Sequence, residues 1–280
     1  VPDTDPVLYN VDRAVATVTL NRPDAANAQS TELLDQLDAA FDRADADDDV
    51  RVVVLAAAGK HFSAGHDLKG LLDPAAADPW REMRDTPEGK LRHEQVMYFD
   101  KCVKIYDFRK PTIAAVQGSC VAAGLMLACM CDLIVAADDA KFSNPVLRMT
   151  GVGVELLVEP WELGIRKAKE FLLTGDKIDA QEAWRLGLVN RVVPRDSLAS
   201  AVQELAETVA LVPPITAQAI KDTINHTFDA MGKREAWKYH FMVHQFVSNS
   251  ETALSALEAR KQKGSMKEVF AEHERGEKKE

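Results

Sequence analysis

Cysteine is scarce in this chain of 280 residues: there are four, all between Cys102 and Cys131. So few thiols, so tightly grouped, exclude a disulfide framework for a protein of this size and read as reduced side chains. Cys129 and Cys131 form a C-x-C pair, but no second pair or nearby histidines complete a zinc set. Packing is therefore their expected role, and no metal site is expected. Positive charge is short as well. Lysine and arginine total 34 against 44 aspartates and glutamates, a formal net charge of -10, and no basic stripe with interleaved aromatics suggests nucleic-acid binding. No apolar run approaches the roughly 18 residues that would span a bilayer. The opening Val1-Pro2-Asp3-Thr4-Asp5 has neither the basic start nor the apolar centre of a secretory signal, so the expectation is a cytoplasmic protein. What is present is the material of a sizeable core. Hydrophobic residues make up 46% and charged residues 28%, which fits a soluble globular protein of one large domain or a core with a smaller appended part.

The most informative stretch runs from Lys60 to Gly70, Lys-His-Phe-Ser-Ala-Gly-His-Asp-Leu-Lys-Gly. It follows Val52, Val53, Val54 and Leu55, a β-branched run that opens through alanines and Gly59 into a turn, the pattern of a buried strand. Ser63, Ala64 and Gly65 are small enough to let a ligand approach the backbone, and free N–H groups there suit an anion or a developing oxyanion. Taken alone, a strand feeding a small-residue loop is common in α/β proteins and identifies no site. A second such turn follows Thr112 to Gln117, where Gly118-Ser119-Cys120-Val121-Ala122-Ala123-Gly124 leads into the apolar helix pattern Leu125 to Cys131.

The rest of the chain repeats this unit. Val7 to Val11 and Val15 to Leu20 read as a hairpin around Asp12-Arg13. From Ser30 or Thr31, Leu33, Leu34, Leu37, Ala40, Phe41 and Ala44 recur at helical spacing. Leu72 to Thr86, broken by Pro74 and Pro79, has no steady period and reads as a surface loop or a lid. Lys90 to Phe108 is a long helix candidate ended before Pro111, and Leu133 to Ala137 is a further buried strand. Phe142-Ser143-Asn144-Pro145 and Gly151-Val152-Gly153-Val154-Glu155 form a loop with an apolar, glycine-spaced centre. Helices are expected at Arg166 to Thr174 and Ala180 to Leu186, a short strand at Val189 to Val193, and an almost wholly helical pattern from Leu198 onward. Strand, small-residue turn and helix in repetition predict an α/β protein with a mainly parallel sheet. The composition shift near Pro194 divides a core over 1–195 from a helical region over 196–280.

The two small-residue turns carry a resemblance to the crotonase (enoyl-CoA hydratase/isomerase) superfamily. It extends to Asn21-Arg22-Pro23, Ala114-Ala115-Val116-Gln117-Gly118, Cys131-Asp132-Leu133-Ile134, Leu173-Thr174-Gly175-Asp176 and Ala180-Gln181-Glu182-Ala183. The resemblance implies a spiral of ββα units, a helical C-terminal trimerisation region giving a homotrimer or dimer of trimers, and an acyl-CoA thioester as substrate. Coenzyme A would enter as part of the substrate, with no separate cofactor. It also implies that the main-chain N–H groups of His66 and Ala123 hold the thioester oxygen. The CoA moiety is then expected beside Ala25, Ala64, Asp67, Leu68 and Ala122. Its phosphates would meet Lys60, Lys69 or the cluster Arg260, Lys261 and Lys263, although each lysine taken singly reads as solvated surface.

One departure separates this chain from the hydratases it resembles. Their two glutamates fall here on Met126 and Val146, neither of which moves a proton, so a paired-carboxylate site for syn-hydration is not expected. Glu155, among Val152, Val154 and Leu156, is the candidate replacement, expected with a raised pKa from its apolar surroundings. Glu159 and Glu162 are weaker candidates. The His66 side chain either packs, faces CoA or takes part in catalysis. The chain also resembles methylmalonyl-CoA decarboxylase at Ala64-Gly65-His66-Asp67, which leaves decarboxylation or C–C cleavage open beside hydration, isomerisation and a non-catalytic CoA-binding role. His240 and His244 have i, i+4 spacing, but Phe241 stands where a zinc protease has its glutamate, so helix packing is their expected role.

Overall fold

A computed structural model describes residues 5–68, 80–84, 86–149 and 151–261. Strands β1 (Val7–Asp12) and β2 (Val15–Leu20) form the antiparallel hairpin expected, with Val7 opposite Leu20. Helix α1 (Thr31–Ala46) starts where the Ser30 hydroxyl accepts from the Leu33 N–H at 3.2 Å, and its apolar stripe from Leu33 to Ala44 is buried. Strands β3 (Val52–Ala57), β4 (Thr112–Val116), β6 (Leu133–Ala137) and β9 (Arg191–Val193) extend the sheet in the order β1-β2-β3-β4-β6-β9. Every pairing after the hairpin is parallel. Short strands β5 (Ser119–Val121), β7 (Lys141–Ser143) and β8 (Ile178–Asp179) make a second sheet.

Side chains alternate across the main sheet as strand geometry requires. Val53 and Leu55 of β3 join the larger core with Leu33, Leu37 and Phe41 of α1. Val52 and Val54 face the other way, into a smaller core with Ile113, Val135 and, from the helix Leu198–Ala210, Leu198, Val202, Leu205 and Ala206. Both sheet faces are thus covered by helices.

The expected helix over 90–108 starts earlier and is not uniform. Helix α2 (Pro87–Glu94), capped by the Thr86 hydroxyl, passes into a π-helical turn, Gln95–Asp100, and then α3 (Lys101–Tyr106). Widened turns of this kind rotate the side chains that follow, and here one carries the buried Met97 and Tyr98. Helix α4 (Ala123–Cys129) follows β5. From Leu198 the chain is helical: α5 (Leu198–Ala210), α6 (Pro214–Ala230), α7 (Lys233–Ser248) and α8 (Glu251–Lys261). No helix among the described residues is long and apolar enough to cross a membrane. Of the loop expected over Leu72 to Thr86, residues 72–79 and 85 lie outside the described residues.

A cavity of about 410 Å³ lies at the N-terminal ends of β4 and β6, between Pro111, Asp132, Leu133 and the α6 residues Lys221, Ile224 and Phe228. Asp132 accepts from the Thr112 N–H at 2.7 Å and meets Lys221 at 3.0 Å, which fixes α6 to the sheet. Parallel sheets place their ligands at the opposite, C-terminal ends of the strands, where the two small-residue turns stand.

The smaller core predicts a measurable cost of detaching α5. Leu205→Ala removes a side chain buried against that core and is expected to destabilise the chain by about 2–3 kcal/mol, read from the midpoint of urea unfolding.

Candidate active site

The loop after β3 and the turn after β4 are hydrogen-bonded to each other. Ser63 donates its N–H to the Ser119 carbonyl at 3.2 Å, and Val121 donates back to the Ser63 carbonyl at 2.9 Å. Close approach depends on glycine at two points. A Cβ on Gly65, whose φ is +87°, would lie 3.0 Å from the Val121 carbonyl oxygen and 3.3 Å from the Ala123 nitrogen. A Cβ on Gly124 would lie 2.7 Å from the Ser63 carbonyl oxygen, closer than packing allows.

Gln29 clamps the loop from the far side. Its N–H donates to the Gly65 carbonyl at 2.8 Å and its carbonyl accepts from the Asp67 N–H at 3.1 Å. In such a parallel bridge the residue between, His66, turns its own N–H away from Gln29. The Gln29 side chain also donates to the Ala123 carbonyl at 3.1 Å, tying both turns together. Ala122 takes up φ 50° and ψ −113°, a strained conformation for a residue with a Cβ, and this corner leads β5 into α4. Ala122 donates to the Ser143 carbonyl at 2.8 Å. Neither the His66 nor the Ala123 N–H donates to another group among the described residues. Two unspent main-chain donors on abutting turns are the geometry of an oxyanion hole.

The side chain of His66 meets Glu155 across 89 residues of sequence, with Nε2 2.9 Å from Oε2. Glu155 is 3% exposed. Burial alone would raise its pKa, but the charge and hydrogen bond of His66, reinforced by the charge of His244, outweigh burial and hold the carboxyl below its ordinary range. The expected direction was the reverse; the correction follows from partners that the local apolar pattern does not reveal. The His66 ring packs on Tyr98, centroids 3.9 Å apart and tilted by 30°.

Helix α7 fixes the loop that carries Glu155. His240 Nε2 lies 2.7 Å from the Val154 carbonyl, His244 Nδ1 3.1 Å from the Gly153 carbonyl, and the Trp237 indole N–H donates to the Leu157 carbonyl at 3.2 Å. His244 Nε2 is 3.1 Å from Glu94, which also accepts from Gln245. Burial lowers the His244 pKa, yet Glu94 and Glu155 more than offset it and the net direction is upward. Glu94, Glu155 and His244 bring one ligand atom each within 4.8 Å of one another, a set able to hold a divalent cation. Hydrogen bonds already account for this cluster, since both His244 ring nitrogens face oxygens.

The remaining expected residues are distributed as follows. Met126 and Val146 are buried among apolar neighbours. Glu159 is buried and accepts from Asn144 at 2.6 Å, with burial raising its pKa; Glu162 pairs with Lys233 at 3.6 Å. Ala25 and Ala64 are exposed, and the Ala64 N–H donates to the Ala26 carbonyl. Asp67 pairs with Arg22 at 2.9 Å, and the Leu68 N–H donates to the His66 carbonyl. Lys60 is exposed. Lys69 and Lys263 lie outside the described residues, as do the side chains of Arg260 and Lys261. Gln29, Glu94, His93 and Tyr98 escaped the sequence reading. Gln29 sits in an unpatterned link, and the others lie within one long helical pattern whose π turn leaves no local signature.

A parallel α/β core with a helical C-terminal region and two unspent main-chain donors on abutting turns is consistent with a crotonase-type fold. Residues 10–267 match the family model described as enoyl-CoA hydratase/isomerase. The chain belongs to the enoyl-CoA hydratase/isomerase family. It is 45% identical over 251 residues to EchA13 of Mycobacterium tuberculosis, provisionally named an enoyl-CoA hydratase, covering 84% of this chain and 77% of that one. Among solved structures, a provisionally named enoyl-CoA hydratase from Mycobacterium thermoresistibile superposes with a TM-score of 0.82 at 46% identity, covering 89% of this chain and 98% of that one. An enoyl-CoA hydratase/isomerase from Xanthobacter autotrophicus Py2 gives 0.82 at 32% identity, covering 95% and 96%.

His93 supplies a pH test of this region. It is 1% exposed, and burial, with the charge of Arg84, lowers its pKa from 6.5 to about 4. A base whose folded-state pKa is depressed contributes full stability above the unfolded value and loses it as pH falls from about 6.5 to about 4. The loss is at most about 3 kcal/mol. His93→Phe is expected to flatten this part of the stability profile, measured by urea unfolding at pH 7.5, 5.5 and 4.5.

Proposed function

We propose that this chain transforms an acyl-CoA thioester, stabilising an enolate oxygen at the His66 and Ala123 N–H groups and moving the proton with the His66–Glu155 pair. The observation that carries this reading is the double placement of His66. Its N–H is unspent beside the Ala123 turn while its imidazole is hydrogen-bonded to a buried carboxylate. The acyl-CoA substrate is supported by the family and by relatives named as enoyl-CoA hydratases.

Taking a proton from the carbon beside a thioester places negative charge on the carbonyl oxygen. A preorganised donor aimed at that oxygen contributes on the order of 3 kcal/mol. The imidazole acts as base and then acid, and an ionised Glu155 orients the ring and stabilises its protonated form, the logic of a base held by a carboxylate. Helix α7 acts through Glu155: His240 and His244 hold its loop, and His244 with Glu94 keeps its charge.

Because Met126 and Val146 are apolar, a single acid/base group moves the proton. This suits an enoyl-CoA hydratase-like lyase acting on an unusual enoyl-CoA, or a double-bond shift in which one base removes and returns the proton. The same two positions favour a second reading: a decarboxylase or C–C hydrolase that needs the oxyanion hole more than a base, or a CoA-thioester-binding homologue without turnover. CoA would lie along Ala25, Ala64, Asp67, Leu68 and Ala122, with no cofactor besides it. Exposed apolar residues of the helical region, among them Leu211, Ile215, Tyr239, Met242 and Phe246, support assembly as a homotrimer or dimer of trimers.

Incubation with crotonyl-CoA, malonyl-type CoA esters and a β-ketoacyl-CoA, followed by mass spectrometry, separates the readings. For an enoyl-CoA substrate, His66→Gln and Glu155→Gln are each expected to lower kcat by about 10²- to 10⁴-fold with little change in KM. Turnover of a malonyl-type ester that survives Glu155→Gln assigns decarboxylation, and binding of all esters without turnover assigns the binding role.

A further inference from the structure

Beside the His66–Glu155 pair, polar atoms are buried without partners. His66 Nδ1 and both ring nitrogens of His93 have no hydrogen-bond partner among the described residues. The two imidazoles flank Tyr98. The His66 ring lies 3.9 Å from it, and the His93 ring packs edge-on at 5.3 Å and 87°. On its other side His93 meets Trp80 edge-on at 5.6 Å.

A neutral imidazole carries one donor and one acceptor, and burying both unpaired is unfavourable. Between two aromatic rings, a phenylalanine would fill the space of His93 without that cost. Edge-on contact with a ring offers the N–H at most a weak partner and the acceptor nitrogen none. Among the described residues no hydrogen bond therefore accounts for an imidazole at this position, and a ligand group that completes its hydrogen bonds does. Charge narrows the choice of that group. Arg84, Glu94, His66 and Glu155 all face His93, which stays neutral down to a pH of about 4. A carboxylate would sit near Glu94 and Glu155 with no cationic imidazole at 93 to receive it, and Arg84, the cation that faces His93, already has an interaction of its own.

We propose that the acyl part of the substrate carries a neutral hydrogen-bonding group, a hydroxyl or keto oxygen, received by His93 beside Tyr98. The inference rests on the acyl-CoA reading above and narrows its substrate class to polar-substituted acyl chains. A site built to hydrogen-bond such a group discriminates strongly against the plain chain, whose binding leaves the buried nitrogens unpaired.

The test is calorimetric titration of the full chain with hexanoyl-CoA, 6-hydroxyhexanoyl-CoA, 5-oxohexanoyl-CoA and CoA alone, repeated on His93→Phe. At least one polar ester is expected to bind tenfold or more tightly than hexanoyl-CoA, and His93→Phe is expected to remove that preference. Hexanoyl-CoA binding as tightly as both polar esters, as it would if water satisfied His93, overturns this proposal and leaves the acyl-CoA reading intact. So does a preference that survives His93→Phe. If no ester binds more tightly than CoA alone, the acyl-CoA reading fails and this proposal with it. Equal binding of hexanoyl-CoA and the polar esters by the unmodified chain overturns the proposal even if His93→Phe does not fold. His93→Gln, which keeps a donor and an acceptor, is then the variant expected to weaken the preference less than loss of the side chain would.

Discussion

The pairing of two turns through their carbonyls is the constraint on which the site depends. Ser63 donates its N–H to the Ser119 carbonyl and accepts from the Val121 N–H, while Gln29 takes up the Gly65 carbonyl and the Asp67 N–H. With these groups committed, the His66 and Ala123 donors are left over. Main-chain donors placed this way need no particular side chain at either position, so alanine is compatible with the proposed role at 123. What they do need is contact distance between backbones, and Gly65 and Gly124 provide it. Strain at Ala122 is tolerated because β5, β7 and α4 hold both ends of the corner.

A buried carboxylate imposes the second constraint. Ionised Glu155 without partners would be strongly destabilising, and its network supplies them: His66 by direct hydrogen bond, His244 by charge, and Glu94 behind His244. The C-terminal helices thereby position the Glu155 loop. Trp237, His240 and His244 on α7 hold three carbonyls of the Glu155 loop. The packing role expected of the two histidines is correct in kind, and what they pack against is the loop that carries Glu155.

Much of the architecture was legible because it rests on short-range pattern. The alternation in β3, the stripe Leu33 to Ala44 in α1 and the small residues around Ala64 and Ala123 are local features, and each element lies within a few residues of its expected place. The two small-residue turns were legible for the same reason, as strands that end in residues without bulk. Glu155 was recognisable by type, as a carboxylate in an apolar, glycine-spaced loop, but its electrostatics were not. Its apolar neighbours in sequence suggested a raised pKa, while its neighbours in space lower it. Gln29, His93, Glu94 and Tyr98 carried no signal, since nothing in their own segments marks them.

The sequence by itself determined the elements, the two turns, the apolar residues at positions 126 and 146 and the family. Strand and helix periods, small-residue turns and residue identities are all written over a few consecutive positions. Only the tertiary structure decided that His66 meets Glu155, that α7 holds the Glu155 loop and that two histidines flank Tyr98 with nitrogens unpaired. His66 and Glu155 stand 89 positions apart, and partners at such separations are chosen by how whole elements pack, which no local period encodes.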